Sequence, residues 1–136
     1  MAILYYVART ARFGYGLYRR LVFINTMPTP FEHLASFDRL VHEPARLAIL
    51  TALSACEKAD FVFLRNLTGL TKGNLSSHLV KLEQGSLVAI EKTFEGKQPI
   101  TYVALTGEGR DVLKAYWKRF DKVREGLRRL KPVRAD

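Results

Sequence analysis

The segment between Gly69 and Gly85 constrains the fold more than any other part of this sequence. Gly69 ends one short helical segment, and Thr71 is a strong N-cap for a new helix that runs to about Glu83. Within that helix, three leucines lie at spacings that place them on one buried face: Leu75, Leu79 and Leu82. The opposite face carries short polar donors and cations: Lys72, Asn74, Ser76, Ser77, His78 and Lys81. The sequence therefore predicts two helices joined by a tight turn, with the polar face of the second held outward.

Two further helices are predicted upstream of this turn. Thr29, Pro30 and Glu32 have the order of an N-cap, a first helical residue and a capping box. An apolar stripe at helical spacing continues to Val41, and Pro44 ends that helix and begins the next. The second of these helices presents residues that we expect to be buried: Leu47, Ile49, Leu50 and Leu53. Residues 55–60 are interpreted as a polar connection.

A β-hairpin and a long helix are predicted downstream. Residues 87–94 partly alternate, residues 95–99 favour a turn, and residues 100–105 form the β partner. Thr106 caps the last helix, whose apolar residues recur at alternating steps of three and four. This heptad seam is either a dimerisation surface or a core stripe packed within one subunit. We expect dimerisation, because a domain this small has limited core to cover the following residues: Leu113, Tyr116, Trp117, Phe120, Val123 and Leu127.

The net charge of +9 favours a nucleic-acid partner, but the charge is unevenly distributed. Residues 1–26 contain four arginines and no acid, and residues 118–136 are also strongly basic, whereas residues 32–117 are neutral overall. The N-terminal segment is either an upstream extension without a role in the fold or an extra helix that serves the dimer, DNA or a membrane surface. The basic C-terminal tail either contacts DNA phosphates or keeps a coiled coil soluble.

Catalytic and metal chemistry find little support in the residues. The three histidines, His33, His42 and His78, lack a paired-ligand spacing, and Cys56 is a lone cysteine interpreted as a small buried residue. No apolar stretch approaches the roughly 18 residues that cross a bilayer. We therefore expect a reduced, cytoplasmic protein that is not an enzyme and uses neither a metal nor another cofactor.

The predicted order of short helix, turn, polar-faced helix, hairpin and long helix is that of a winged helix-turn-helix. The motifs are PARLAIL (44–50), DF (60–61), LTKGNLSSHL (70–79), KLE (81–83), FEGKQP (94–99) and LTGEGR (105–110). In these motifs the chain resembles small single-domain bacterial winged-helix transcriptional regulators close to the MarR and ArsR families. The resemblance spans about residues 36–118.

The resemblance implies a mainly α fold with a small β-hairpin wing and a long C-terminal dimerisation helix. We expect an N-terminal extension at 1–28, a winged-helix domain at 29–106, and a dimerisation helix and tail at 107–136. The implied function is that of a homodimeric, sequence-specific regulator that binds an inverted repeat in double-stranded DNA. Helix 72–83 would enter the major groove, and the wing at 87–105 would lie along the backbone or the minor groove.

The candidate contacts divide into two sets. Donors near the start of a recognition helix reach base edges, and these candidates are Lys72, Asn74, Ser76, Ser77 and His78. Cations and polar groups around them suit phosphates, and these candidates are Arg46, Lys81, Lys92, Lys97 and Gln98. The alternative is a protein-interaction adaptor that does not bind DNA, which the neutral centre of the chain keeps open. No residue identifies a small-molecule effector.

Overall fold

A computed structural model describes residues 29–130, so the predictions for residues 1–28 and for the last six residues lie outside the described part. The elements, in chain order, are α1 (Pro30–Ala35), α2 (Pro44–Ser54), β1 (Ala59–Asp60), α3 (Phe61–Thr68), α4 (Lys72–Gln84), β2 (Val88–Glu95), β3 (Gln98–Leu105) and α5 (Gly107–Arg128). The prediction of a mainly helical winged fold with a small antiparallel sheet and a long C-terminal helix is confirmed.

Residues Phe37–Arg119 form one compact unit, and the described residues on either side of it belong to a second unit. The core of the first unit is built from apolar side chains of α2, α3, α4, β3 and the loop before α2. The largest fully buried side chains are Val41, Ile49, Leu50, Leu53, Leu64, Leu75, Leu82 and Val103. Every leucine predicted for the inner face of α4 is therefore buried, since Leu79 is also only 3% exposed.

The turn between α3 and α4 is fixed at both ends. Gly69 ends α3 with a φ of 70°, in the left-handed region that glycine adopts without steric cost. Thr71 begins α4, and its hydroxyl oxygen accepts a hydrogen bond from the backbone N–H of Asn74 at 3.2 Å. Asp60 caps α3 in the same way, with its carboxylate 2.8 Å from the backbone nitrogen of Phe63. These local bonds set where the two helices of the turn begin and end.

The sheet has the strand order β1-β3-β2, with antiparallel pairing throughout. The hairpin register runs from Val88 opposite Leu105 to Glu95 opposite Gln98. Only Gly96 and Lys97 remain as the loop, and Gly96 has the positive φ of 61° that a two-residue hairpin loop requires. Strand β1, which the sequence prediction missed within the connection at 55–60, adds two residues to the outer edge of β3.

The predicted first helix is too long, because α1 ends at Ala35. The capping box at its start is present as predicted. Beyond Ala35, however, the Ser36 hydroxyl donates to the His33 carbonyl, and the Asp38 carboxylate accepts from the Leu40 N–H at 2.8 Å. Short polar side chains that bond to nearby backbone groups compete with the helix in this way. The chain therefore turns at residues 36–43.

A close approach between the start of α5 and Leu87, the residue before β2, depends on Gly109. Thr106 caps α5 as predicted, accepting from the Gly109 N–H at 2.9 Å. A Cβ atom on Gly109 would overlap the backbone carbonyl of Leu87. The structural role of this glycine is to let the helix start against the residue that leads into the sheet.

Candidate nucleic-acid interface

Helix α4 has one face in the core and one face in solvent. With Leu75, Leu79 and Leu82 buried, a set of polar side chains is exposed on the other side of the helix. This set, here called the polar face of α4, consists of Lys72, Asn74, Ser76, Ser77 and Lys81. The face carries two cations, and the one exposed carboxylate of the helix, Glu83, lies in its last turn, so the first two turns present donors to whatever approaches them.

His78 does not belong to the polar face of α4. It follows Leu75 by three residues and precedes Leu82 by four, so it lies beside the buried stripe. Its side chain is only 19% exposed, and its buried Nδ1 atom lies 3.6 Å from a carboxylate oxygen of Glu43 without a hydrogen-bond partner. The placement of His78 among the outward-facing residues is therefore wrong, and we leave it out of the base-contact set.

Glu43 links α4 to the start of α2. It is the N-cap of α2, and its carboxylate accepts from the Arg46 backbone N–H at 2.9 Å. Burial raises the pKa of this carboxyl. The pKa is lowered by more, through backbone hydrogen bonds from Arg46 and Ala45 and through the nearby side chains of His78 and Arg46. The net result is a lowered pKa for Glu43, which keeps it ionised next to α4.

Arg46 has a structural role that the sequence analysis did not anticipate. Its guanidinium donates to the carbonyl oxygens of Leu40 and Arg39, at 2.5 and 2.9 Å, and its side chain is only 12% exposed. An arginine that ties the loop before α2 to the start of α2 and is largely buried has little exposed surface to offer to a phosphate. We therefore also leave Arg46 out of the candidate phosphate contacts.

The wing places its predicted contacts in solvent. Lys92, Lys97 and Gln98 are all exposed, and Lys97 lies in the two-residue loop at the tip. On the face of the hairpin opposite Lys92, which Gln98 shares, the Tyr102 hydroxyl donates to the Glu95 carboxylate at 2.7 Å. This bond raises the pKa of Tyr102 above its ordinary value. The Lys58 ammonium lies 4.2 Å from the Tyr102 ring centroid and so connects the segment before β1 to this face.

The residues predicted for dimerisation on α5 divide into two groups. Leu113, Tyr116 and Val123 are buried within the single chain, as the core-stripe interpretation requires. Trp117, Phe120 and Leu127 are each 38–44% exposed, as a dimer surface requires. The core-stripe interpretation therefore holds for Leu113, Tyr116 and Val123, and dimerisation through the three exposed residues stays a prediction.

A cluster of aromatic rings holds α5 to the loop before α2, and sequence analysis did not find it. The His42 ring nitrogen Nδ1 lies 2.9 Å from the Tyr116 hydroxyl, and the Phe37 ring stacks on His42 with centroids 4.8 Å apart. Burial raises the pKa of Tyr116. His42 and Tyr116 are 74 positions apart in the sequence, so no local pattern predicts the cluster.

Over residues 29–130, no group of histidine, cysteine and acidic side chains could hold a metal ion. In the same part of the chain, no helix is both long and apolar enough to span a membrane.

Comparison with known proteins places this geometry in a family. The sequence profile of the winged helix DNA-binding domain family matches residues 45–123, which include α4, the wing and most of α5. The chain therefore belongs to the winged helix DNA-binding domain family. The prediction of a DNA-binding regulator of the winged-helix class is thereby confirmed.

The chain is also similar to individual proteins. An uncharacterized protein of Methanocaldococcus jannaschii is 32% identical over 78 residues, which cover 57% of this chain and 85% of the relative. A transcriptional regulator homologue from Pyrococcus horikoshii is also 32% identical, with a TM-score of 0.67 over 71% of this chain and 97% of that one. A MarR family regulator from Silicibacter pomeroyi, 22% identical, shares the fold with a TM-score of 0.55 over 88% of this chain and 79% of that one.

Proposed function

We propose that the protein is a transcriptional regulator that binds an inverted repeat in double-stranded DNA as a homodimer. Helix α4 enters the major groove and reads bases, while the β2–β3 wing contacts the neighbouring backbone or minor groove. Such a regulator acts in the cytoplasm, and we propose that location for this protein as well.

The observation that carries the proposal is the two-sided character of α4. Its leucines anchor it in the core, so the polar face of α4 is held outward on a rigid element rather than on a loop. Asn74 can donate to and accept from adenine, and Lys72 can donate to guanine. Lys81 suits a phosphate, which sets register and affinity more than sequence choice.

The described parts of the second compact unit support a homodimer. Within that unit α1 packs on the end of α5, because Pro30 lies directly against Gly126. Four large apolar side chains in these two pieces are still 41–56% exposed: Phe31, Leu34, Leu127 and Leu130. A second copy related by two-fold symmetry would cover the same patch on both chains.

A salt-dependent gel shift tests DNA binding. Full-length protein is expected to retard a random-sequence duplex at low salt, with affinity falling linearly in the logarithm of the salt concentration because phosphate contacts release counterions. Repeated selection from a random pool should then enrich an inverted repeat with half-site centres roughly 34–36 Å apart.

The same experiment tests the adaptor hypothesis. A protein that fails to retard any duplex even at low salt, while folded and monodisperse, would contradict the proposal and favour a protein-interaction role. Enrichment of a single half-site without symmetry would contradict the homodimer part alone.

A further inference from the structure

Phe94 is the most exposed large apolar side chain in the described part of the protein, with 70% of its surface in solvent. It pairs with Pro99 across the hairpin, and only the pair Glu95–Gln98 separates it from the two-residue loop at the tip. A single exposed apolar residue needs no explanation by itself. The charged residues around it, however, are divided between the two faces of the hairpin.

Phe94 and α4 lie on the same side of the sheet. Side chains alternate along a strand, so Phe94 shares its face of β2 with Val88, Ile90 and Lys92. The register places Pro99, Thr101, Val103 and Leu105 of β3 on that same face. At the inner end this face is buried, with Val88, Val103 and Leu105 at most 7% exposed, and it is where α2 contacts β3 and α4 contacts β2. The outer end of the hairpin extends beyond this core and presents Lys92, Phe94 and Pro99 on the side of the recognition helix.

The acidic residues of the wing lie on the opposite face. Glu91 and Glu95 alternate with Lys92 and Phe94 along β2, and Glu95 is bonded to Tyr102 on that far face. The side towards α4 therefore carries a cation and an aromatic ring without a carboxylate, and Lys97 lies at the tip. This distribution fits a polyanion on the side of α4 and disfavours one on the other side.

We propose that Phe94 is an apolar wedge that enters the minor groove of DNA and partly unstacks one base step in each half-site. Lys92 and Lys97 contact the phosphates that flank it. This inference rests on the proposed function and identifies a further contact of the same interface. Apolar wedges of this kind kink the duplex by roughly 20–90° toward the major groove. Burial of the ring on binding offsets part of the cost of unstacking.

The test uses full-length protein and a duplex that it has selected from a random pool. Three variants are compared with the native chain: Phe94→Ala removes the ring, Phe94→Leu keeps an apolar wedge, and Phe63→Ala removes a half-exposed ring from α3. Energy transfer between dyes at the two duplex ends reports bending at saturating protein. A 2-aminopurine placed in turn at each A·T step reports unstacking.

We expect Phe94→Ala to bind about tenfold more weakly, as truncation of a side chain that loses water on binding predicts. The same variant should lose the bend and the 2-aminopurine signal at saturation. Phe94→Leu should keep both signals in part, and Phe63→Ala should keep both in full. Thermal unfolding of each variant controls for folding.

A Phe94→Ala complex that bends the duplex and unstacks the same step as the native complex would overturn the wedge. A variant with lower affinity but no change in either signal would overturn it too, because the ring would then pack outside the base stack. In both cases the proposed function survives, provided that Asn74→Ala still alters site selection. A native chain that binds no duplex overturns the proposed function itself.

Discussion

At the scale of single residues, base recognition depends most directly on Asn74. Its side chain is exposed in the first turn of α4, and its own backbone N–H is bonded to the Thr71 cap. The cap thus fixes the position from which the amide reaches a base edge. A carboxamide can make two hydrogen bonds to adenine, which no other base reproduces.

We therefore expect Asn74→Ala to relax base choice rather than to weaken all binding. Discrimination at the contacted position should fall by about 1–3 kcal/mol, the value of one bidentate contact. The measurement is competition between the selected duplex and versions substituted at each adenine. Lys81→Ala is the matched control on the same helix, and it should weaken every duplex alike. Equal weakening of every duplex by Asn74→Ala would contradict the assignment.

Glu43 is expected to make the stability of the protein depend on pH, because it caps the start of α2. Its pKa is lowered in the folded chain, so the unfolded chain binds more protons between the two values, and stability rises with pH across that window. The native protein should lose this contribution as the pH falls below the ordinary glutamate value of 4.5. Denaturant unfolding of native protein and Glu43→Gln at a series of pH values measures it.

The two unfolding curves should differ most near neutral pH and converge in acid, where Glu43 is protonated. Glu43→Ala, which also removes the cap, should cost about 0.5–2 kcal/mol. Glu57→Gln changes an exposed glutamate in the loop before β1 and should follow the native curve. A constant gap between native protein and Glu43→Gln at all pH values would show that the carboxylate charge plays no part.

At the scale of elements, α4 contains a glycine that the fold does not need. Gly73 lies in the first turn of the helix, is exposed, and has space for a Cβ atom, with nothing within 4 Å. Glycine in a helix is less favourable than alanine by roughly 0.5–1 kcal/mol. A close approach of the helix to a groove would explain why this position lacks a side chain.

Gly73→Ala should therefore change stability and DNA binding in opposite directions. We expect a gain of up to about 1 kcal/mol in the free energy of unfolding, together with weaker binding to the selected duplex. Thermal unfolding and gel-shift titration on the same preparation provide the comparison. Unchanged binding by the stabilised variant would show that Gly73 does not face DNA.

For the wing we expect loss of affinity without loss of base choice, because its lysines suit phosphates. Lys97→Ala should weaken binding to all duplexes by a similar factor, and the slope of log affinity against log salt should become shallower by about 0.9 for one lost phosphate contact. Titrations at several salt concentrations with selected and random duplexes measure both quantities. A loss confined to the selected duplex would indicate a base contact instead.

The predicted elements succeed where the signal is local and fail where it is distant. Local backbone contacts explain three correct boundaries. Gly69 ends α3, Thr71 begins α4 and Thr106 begins α5, and the residue type alone predicts each of them. Strand β1 has only two residues, and it exists because Ala59 pairs with Val103 far along the chain. The turn at residues 36–43 was not predicted, because apolar residues continue through it at helical spacing. Two of them, Phe37 and Val41, are buried in the loop and not in a helix.

The candidate site shows the same division. The alternation of leucines and polar residues predicted which side of α4 is exposed for five of the six residues. His78 was misplaced because its neighbour across the structure, Glu43, belongs to another helix. Arg46 is predicted to contact phosphate, whereas its partners are backbone carbonyls in a turn where the apolar stripe predicts a helix.

At the scale of the whole molecule, the exposed apolar residues at the end of α5 predict the oligomeric state. Leu127 and Leu130 are more than two-fifths exposed, so replacing both with aspartate should not disturb the core of one chain. We expect Leu127→Asp combined with Leu130→Asp to convert a dimer into a monomer, as measured by light scattering during size exclusion. Because one chain then covers one half-site, binding to the inverted repeat should weaken strongly.

The matched control changes two exposed residues of the same helix, Lys122→Gln and Arg128→Gln, which lowers the net charge as much as two Leu→Asp changes do without removing apolar surface. It should remain a dimer. A native chain that elutes with the mass of one protomer at all concentrations would contradict the homodimer while leaving DNA binding by α4 untouched.

The most direct test of the central claim is a nuclear magnetic resonance titration of the isotopically labelled full-length protein with its selected duplex. The outward surface of α4 is proposed to contact bases, so the largest amide shifts should fall in residues 72–81, with a second group in the wing at 92–98. Leu75, Leu79 and Leu82 should keep their side-chain contacts in the complex. Shifts confined to other elements, or no shifts at a DNA excess, would contradict the account.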